Sequence, residues 1–136
     1  MEALDMDQND LPAIKNLLSY LEVGSPELLK FVAQDIDLRI EHYGKMTGSS
    51  EQKASNVREG SKLLNELGTE AFPKGVKTLG LDFRFLGDGW YQTDYVQEFW
   101  CPLQKQDVVG RSLLISHETR GKVDFIRKIV ASVEQA

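Results

Sequence analysis

The stretch WYQTDYVQEFWC, residues 90–101, is typical of a β-strand that has two different faces. Successive side chains of a strand point to opposite sides of the sheet, and aromatic and β-branched residues are enriched in strands. One face carries Tyr91, Thr93, Tyr95, Gln97, Phe99 and Cys101. The other face carries Trp90, Gln92, Asp94, Val96, Glu98 and Trp100. Aromatic side chains on both faces make this the most informative strand of the chain.

Three further strands are predicted around this one, all of them after Pro73. Residues 75–85 precede it across the turn Gly87-Asp88-Gly89, and residues 108–117 and 122–133 follow it. Turn residues of this kind between apolar runs favour tight hairpins. Four strands in antiparallel succession form a meander, and the helices that precede them must cover one of its faces.

Two helices are predicted before the first strand, after a polar arm at residues 1–9. The first helix runs from Asp10 to Gly24. Its apolar stripe, at spacings of three and four residues, is Leu11, Ile14, Leu17, Leu18 and Leu21. Ser25-Pro26-Glu27 starts the second helix, because a hydroxyl cap, a proline and an acid all favour a helix N-terminus. The predicted buried face of that helix is Leu28, Leu29, Val32 and Ala33.

At Asp35 the apolar period falls to two residues, which predicts a strand. Its two faces are Ile36, Leu38, Ile40 and His42 on one side, and Asp37, Arg39, Glu41 and Tyr43 on the other. Residues 44–50 are predicted to form a loop, and residues 51–67 a third helix. That helix is expected to bury Ala54, Val57, Leu64 and Leu67. The predicted fold class is therefore α+β, in the order α-α-β-α-β-β-β-β, with residues 10–136 as a single domain.

Charge and cysteine content exclude several classes of function. The 136 residues carry a net charge of −5, which disfavours broad binding to nucleic acids or anionic membranes. A single cysteine, Cys101, allows no internal disulfide, and no apolar run is long enough to span a bilayer. The two histidines, His42 and His117, lack the ligand spacing of a zinc site. The sequence predicts no metal and no cofactor, and a cytoplasmic location is expected.

Four short segments resemble the nuclear-transport-factor-2-like (NTF2-like) superfamily, and within it the SnoaL-like proteins and the ketosteroid isomerases. The segments are LEVGSPELL at 21–29, VAQDIDL at 32–38, REGSKLL at 58–64 and RGKV at 120–123. The resemblance implies a cone in which a curved antiparallel sheet wraps around three helices and admits a small apolar molecule. Many such proteins are dimers through the outer face of the sheet, so a homodimer is expected.

The resemblance also assigns side chains to a pocket and to a dimer interface. The implied ligand-pocket residues are Leu17, Tyr20, Leu38, Ile40, His42, Tyr95, Gln97, Phe99 and Lys128. The implied interface residues are Trp90, Val96 and Trp100. Two alternatives stay open. Tyr95 and Phe99 could simply fill the interior. A shift of one residue in the last strand would turn Phe125, Arg127 and Ile129 inward instead of Lys128.

The catalytic residues of the best-known relatives do not match this sequence. The carboxylate base of the ketosteroid isomerases would fall on Ile40, and their tyrosine would fall near Leu17. The two aspartates and the arginine of the epoxide hydrolases would fall near Tyr95, Gln97 and Lys128. Both of these chemistries are therefore disfavoured.

Weaker catalytic candidates remain for other reactions. Asp94 and Asp124 are the closest to the aspartate of the polyketide cyclases, and His42 could act as a general base near neutral pH. The sequence thus predicts a pocket protein for a small, mostly apolar organic molecule. One alternative is an enzyme of the polyketide-cyclase or isomerase type that uses His42, Tyr95 or Asp124. The other is a dimerisation or partner-binding module without a ligand.

Overall fold

The computed structural model describes residues 12–23, 25–44, 48–66 and 72–136, which form a six-stranded sheet with short helices packed on one face. The helices are α1 (Ala13–Glu22), a 3₁₀ helix (Pro26–Phe31) and α2 (Val57–Glu66). The strands are β1 (Val32–Gly44), β2 (Gly48–Ala54), β3 (Val76–Gly87), β4 (Trp90–Cys101), β5 (Gln106–Thr119) and β6 (Lys122–Gln135). Their order across the sheet is β2-β1-β6-β5-β4-β3.

The sheet is an antiparallel meander to which β1 adds in parallel. Strands β3 to β6 pair in succession, and β1 lies parallel to β6 with Ile40 opposite Lys128. The register shifts between Thr78 and Gly80 and again between Arg111 and Ser112, and such bulges bend a strand and increase its twist. The predicted α+β class with a curved sheet is confirmed, and the sheet is antiparallel except where β1 pairs with β6.

The two faces of the sheet have different roles. We call the face that carries Tyr95 and Lys128 the inner face, because it packs against α1 and α2, and the opposite face, which carries Val96 and Arg127, the outer face. The main apolar core lies between the inner face and the helices. A smaller core cluster of Cys101, Val108 and Val133 lies at one end of the same sheet.

Two predicted hairpin turns form where the sequence places them. Gly87 and Gly89 both have positive φ angles, of 101° and 84°, as do Arg120 at 54° and Gly121 at 78°. Glycine adopts such angles without steric cost. At Gly89 a side chain is also excluded by space, because a Cβ atom there would lie 2.6 Å from the carbonyl oxygen of Glu118.

Helix α1 is held to the sheet by a carboxylate at each end. Its first amide, the N–H of Ala13, donates a hydrogen bond of 3.0 Å to Oε1 of Glu118 on β5. At the other end, the Glu22 carboxylate accepts from the backbone N–H of Thr78 at 3.2 Å and from its hydroxyl at 3.0 Å. An acid near a helix N-terminus satisfies unpaired amides and complements the helix dipole. These contacts hold α1 in place against the inner face of the sheet.

Residues 48–54 form strand β2, where a loop and the beginning of a third helix were predicted. Glu51, Gln52 and Lys53 are exposed on this edge strand, so it lacks the alternation that reveals a half-buried strand. The pairing of Ala54 with Leu38 of β1 holds it in place. The helix therefore begins later than predicted, and residues 45–47 and Leu67 lie outside the described residues.

Helix α2 begins at Val57 behind a pair of reciprocal caps. The Asn56 side chain accepts from the N–H of Glu59 at 2.9 Å, and the Glu59 carboxylate accepts from the N–H of Ser55 at 2.8 Å. The first bond is that of an N-cap side chain, and the second is a variant of the capping box in which the acid binds the amide one residue before the N-cap. The helix buries Leu63, while Val57 and the predicted Leu64 are half-buried.

The second predicted helix is a single 3₁₀ segment. The Ser25 hydroxyl accepts from the N–H of Glu27 at 3.2 Å, so the predicted start is correct. The segment stops at Phe31, because Val32 is buried in β1 opposite Val123 of β6. Leu29 is 42% exposed rather than buried. The polar arm at residues 1–9, with Asp10, Leu11 and Gly24, lies outside the described residues.

Candidate functional site

A cavity of about 440 Å³ opens between the inner face of the sheet, α1, α2 and residues 72–76. Its wall is mainly apolar and includes Val32, Ile36, Val57, Leu64, Leu81, Leu114 and Ile126. The polar side chains on the wall are Lys15, Ser19, Glu22, Ser61, Thr78, Tyr95, Gln97 and Lys128. Small-molecule sites have volumes of roughly 300–1,000 Å³ and similar mixtures of apolar walls and few polar groups.

Most residues assigned to the pocket from the sequence lie on this wall. They are Leu17 from α1, Leu38 and Ile40 from β1, Tyr95 and Gln97 from β4, and Lys128 from β6. The strands bring them together because alternate residues of β1, β4 and β6 share the inner face. The isomerase-like positions Leu17 and Ile40 are therefore on the wall and are apolar, so they supply no acid or base.

Tyr20 and Phe99 lie away from the cavity wall. Tyr20 stacks on Phe31 of the 3₁₀ helix, with ring centroids 5.9 Å apart and planes 14° apart. Phe99 packs into the smaller core cluster and meets the edge of Phe72 at 4.8 Å between centroids. His42 is the remaining residue that was assigned to the pocket. Its backbone lies opposite Val130 in the sheet, and its side chain lies outside the described part of the structure.

The register of the last strand places Lys128 on the inner face. It pairs with Leu114 of β5 and with Ile40 of β1, both of which are buried on that face. Its Nζ atom lies 5.2 Å from the centroid of the Tyr95 ring. The alternative register, with Arg127 turned inward, is not the one that forms. Arg127 lies on the outer face, where its guanidinium binds the Glu41 carboxylate.

Tyr95 combines a buried ring with a polar end. The residue is 4% exposed and lies on the cavity wall. No hydrogen bond of its hydroxyl is found among the described residues. A buried tyrosine hydroxyl usually finds a partner. The phenol is therefore available to a group that enters the cavity.

Asp94 and Asp124 are both occupied outside the cavity. Asp94 lies on the outer face, where its carboxylate accepts from the Gln92 side chain at 3.2 Å. Asp124 accepts from the Thr119 hydroxyl at 2.7 Å and contacts Nδ1 of His117 at 2.7 Å. The second ring nitrogen of His117 lies 3.0 Å from the carbonyl oxygen of Asp88. This cluster joins the β3–β4 turn to the β5–β6 hairpin, and its acid does not line the cavity.

Sequence reasoning missed the polar rim of the cavity. Lys15, Glu22 and Thr78 belong to the wall, together with Ser61 on α2. Lys15 and Glu22 are seven residues apart, which places them on one face of a helix. That spacing is the only signal in the sequence, and it does not show which face meets an opening.

Among the described tyrosines, Tyr91 is the one whose pKa is raised by its surroundings. Partial burial raises its pKa, and the negative charge of Glu118 raises it further. Its ring packs against Phe83 at 5.5 Å and Phe85 at 5.2 Å between centroids. Desolvation disfavours the charged phenolate, and the Tyr91 ring packs with its aromatic neighbours.

The outer face carries the three residues assigned to a dimer interface. Trp90 is 37% exposed and packs against His117 and Phe125, with centroids 4.7 and 5.6 Å away. Trp100 lies under the ammonium group of Lys74, 4.3 Å from its ring centroid. Val96 is half-buried between them along β4.

Comparison with known proteins identifies the architecture. No protein-family model matches the sequence, and no curated protein matches it either. An NTF2-like protein from Anabaena variabilis has a similar structure, with a TM-score of 0.69 and 13% identity over 94% of this chain and 96% of that one. This chain has the NTF2-like fold.

Two further solved structures show the range of proteins with this NTF2-like fold. A proposed polyketide cyclase from Xanthomonas campestris has a TM-score of 0.67 and 11% identity, over 86% of each chain. TerC, co-crystallised with polyporic acid, has a TM-score of 0.65 and 16% identity, over 88% of this chain and 92% of that one. At such identities the likeness shows the fold alone, and one fold serves many functions.

Two further observations bear on partners. Within the described residues, no group of three or more histidine, cysteine, aspartate and glutamate side chains is arranged to hold a metal ion. None of the helices that the structure describes is long and apolar enough to cross a membrane.

Proposed function

We propose that this chain is a SnoaL-like pocket protein that binds a small, mostly apolar organic molecule in the cavity of its NTF2-like fold. The observation that carries the proposal is the open cavity of about 440 Å³, whose wall is mainly leucine, isoleucine and valine with a few polar groups. A cavity of this kind provides most of its binding free energy by removing apolar surface from water. TerC, which has the same fold, was co-crystallised with an organic molecule, polyporic acid.

A fluorescent apolar probe tests the proposal directly. N-phenyl-1-naphthylamine is uncharged and emits strongly in an apolar environment, so its titration reports entry into the cavity. We expect saturable binding of about one molecule per chain. Absence of saturable binding contradicts the proposal.

A pair of tryptophan variants shows where the probe binds. Gln97→Trp places a large side chain on the cavity wall, and we expect it to weaken probe binding at least tenfold. Lys77→Trp is the control, because Lys77 is the exposed outer-face neighbour of Thr78 on β3. Equal binding by both variants would place the probe on the surface, and the cavity would then not be the site.

An enzymatic role is the second candidate, and Tyr95 favours it. Its hydroxyl faces no partner among the described residues while its ring lies on the cavity wall. A phenol in that position can donate a hydrogen bond to a carbonyl oxygen or transfer a proton to it. Mass spectrometry of molecules retained by the purified protein separates the two functions. A retained molecule that is converted on incubation, and is not converted by Tyr95→Phe, indicates an enzyme.

A cytoplasmic homodimer through the outer face completes the proposal. Trp90, Val96 and the neighbouring Leu113 and Ile115 give this face an apolar centre. The sedimentation velocity of a Val96→Glu variant tests it, with Lys77→Glu at the edge of the same face as the control. We expect Val96→Glu alone to sediment as a monomer. A wild-type monomer, or a dimer that survives Val96→Glu, contradicts this interface.

A further inference from the structure

Lys128 carries a positive charge at the middle of the inner face. Its neighbours in the sheet, Ile40 and Leu114, are 8% and 2% exposed. Lys128 itself is only partly exposed, and it lies on the cavity wall. Transfer of an ammonium group from water to an apolar site is costly unless a partner compensates for it.

No group within the described residues provides that compensation. Lys128 takes part in no ion pair or hydrogen bond there, and its only polar contact is with the face of the Tyr95 ring. A cation over an aromatic ring gains roughly 0.5–2 kcal/mol, which is less than a charge-assisted hydrogen bond with a carboxylate provides.

The other charges on the cavity wall leave the interior positive. The described charged residues on the wall are Lys15, Glu22 and Lys128. Glu22 is exposed at the end of α1 and already accepts two hydrogen bonds from Thr78. Lys15 is exposed at the rim, where water screens it. Lys128 is therefore the charge that an entering molecule meets against the apolar wall.

We infer that Lys128 is an anion subsite and that the ligand is an organic acid with a mostly apolar body. Its oxyanion, which is a carboxylate or an ionised acidic enol, binds the Lys128 ammonium group, and its body packs against Leu38, Leu114 and Ile126. The Tyr95 hydroxyl and the Gln97 amide on the same wall provide further donors to that oxyanion. This inference rests on the proposed function, because it names the chemistry of the molecule that the cavity binds.

Two probes that share an aromatic skeleton test the subsite. 8-Anilinonaphthalene-1-sulfonate (ANS) is N-phenyl-1-naphthylamine with a sulfonate added, so the pair differs by one anionic group. We expect the wild-type protein to bind ANS more tightly than the neutral probe. Lys128→Met, which keeps the unbranched shape and most of the length of the side chain and removes its charge, should weaken ANS binding about tenfold to a hundredfold, as expected for one charged hydrogen bond. Its affinity for the neutral probe should not fall, because the substitution makes the wall more apolar.

The control is Lys77→Met, the same substitution on the exposed outer face of β3. This variant should bind both probes as the wild type does. If the neutral probe fails to bind the wild type, the proposed function is wrong. If the neutral probe binds but Lys128→Met leaves ANS affinity unchanged, the cavity still binds an apolar molecule, and the inference of an anion subsite at Lys128 is wrong.

Competition with matched small molecules identifies the oxyanion. The carboxylate pair is 2-naphthoate and 2-naphthamide. The enol pair is 2-hydroxy-1,4-naphthoquinone, which is ionised at neutral pH, and its 2-methoxy ether. We expect an anion of at least one pair to displace bound ANS at a concentration at least tenfold lower than its neutral partner, and only when Lys128 is present. Equal displacement within both pairs would overturn the inference.

Discussion

Arg127 and Lys128 are consecutive residues of β6 with the same charge, and the fold treats them in opposite ways. Arg127 points to the outer face, where its guanidinium makes two hydrogen bonds with the Glu41 carboxylate, the longer one of 3.2 Å. Lys128 points to the inner face and meets the ring of Tyr95. The outer-face charge has a partner on the neighbouring strand, whereas the inner-face charge has none among the described residues.

Arg127 therefore carries a structural charge, whereas the charge of Lys128 is available to a ligand. The Glu41 side chain is 8% exposed, and the Arg127 guanidinium gives this buried carboxylate a counter-charge. Planar, bidentate pairing of this kind suits arginine and carboxylate. Lysine carries a compact charge on a flexible stem, and at position 128 that charge lies beside an open volume. We therefore expect substitutions at the two positions to change stability in opposite directions.

The largest expected effect comes from Arg127→Met. This variant removes the guanidinium that gives the buried Glu41 carboxylate two hydrogen bonds. Breaking a fully buried pair costs about 3–5 kcal/mol, and we expect about 2–3 kcal/mol here because the Arg127 side chain is 49% exposed. Urea unfolding measures this loss.

A double variant isolates the pairing from the loss of packing. Glu41→Gln combined with Arg127→Met removes both charges, so it should recover part of the stability that Arg127→Met loses. Should Arg127→Met alone unfold at the same urea concentration as the wild type, Glu41 is held by other groups and the contrast with Lys128 disappears.

A second, smaller loss of stability is expected from the cluster of Asp124, Thr119 and His117, which joins the β3–β4 turn to the β5–β6 hairpin. Asp124→Ala removes the partner of Thr119 Oγ1 and of His117 Nδ1. Because His117 and Asp124 are partly exposed and Thr119 is exposed, we expect a loss of about 1–2 kcal/mol in the free energy of unfolding. Binding of N-phenyl-1-naphthylamine should be unaffected, since Asp124 does not line the cavity. If Asp124→Ala is as stable as the wild type but binds the probe poorly, Asp124 takes part in binding, which contradicts this prediction.

The smallest expected effect appears only in alkali and concerns Tyr91. Its pKa in the folded chain is raised by burial and by Glu118, so the folded state holds the phenolic proton more tightly than the unfolded state does. The contribution of Tyr91 to the free energy of unfolding is fully present below the ordinary tyrosine pKa of about 10. It is lost as the pH rises through the higher pKa of Tyr91 in the folded chain. Stability should therefore fall above about pH 10. Tyr91→Phe should lessen that fall, and an unchanged alkaline slope would contradict it.

The strands of the C-terminal half could be predicted from the sequence with few errors. Strand β4 has the predicted bounds, Trp90–Cys101, because its turn and its alternation are both clear. The resemblance implied an inward Lys128, but alternation alone could not decide its direction, since residues 127 and 128 are both cations and the pattern fits either register. Pairing of Ile40 with Lys128 on the neighbouring strand decides it, and such long-range pairing has no local signal.

The N-terminal half was predicted less well, for a physical reason. Glutamate, glutamine, lysine and alanine at positions 51–54 are good helix formers, yet the segment is an edge strand held by β1. The Asn56-to-Glu59 capping pair was the available signal that the helix begins later. The cavity residues on β1, β4 and β6 could be placed by strand alternation. Tyr20 could not be placed, because it lies about one turn from the wall residue Leu17 and the sequence does not show that its ring stacks on Phe31 instead.

Thermal unfolding of Lys128→Met without any ligand tests the central claim most directly. If Lys128 is an unpaired charge reserved for a bound anion, its replacement by methionine removes a partly buried cation from an apolar wall. The melting temperature should then rise above that of the wild type, while saturating ANS should stabilise the wild type more than the variant. A melting temperature that falls in the absence of ligand would contradict the account, because Lys128 would then be a structural residue.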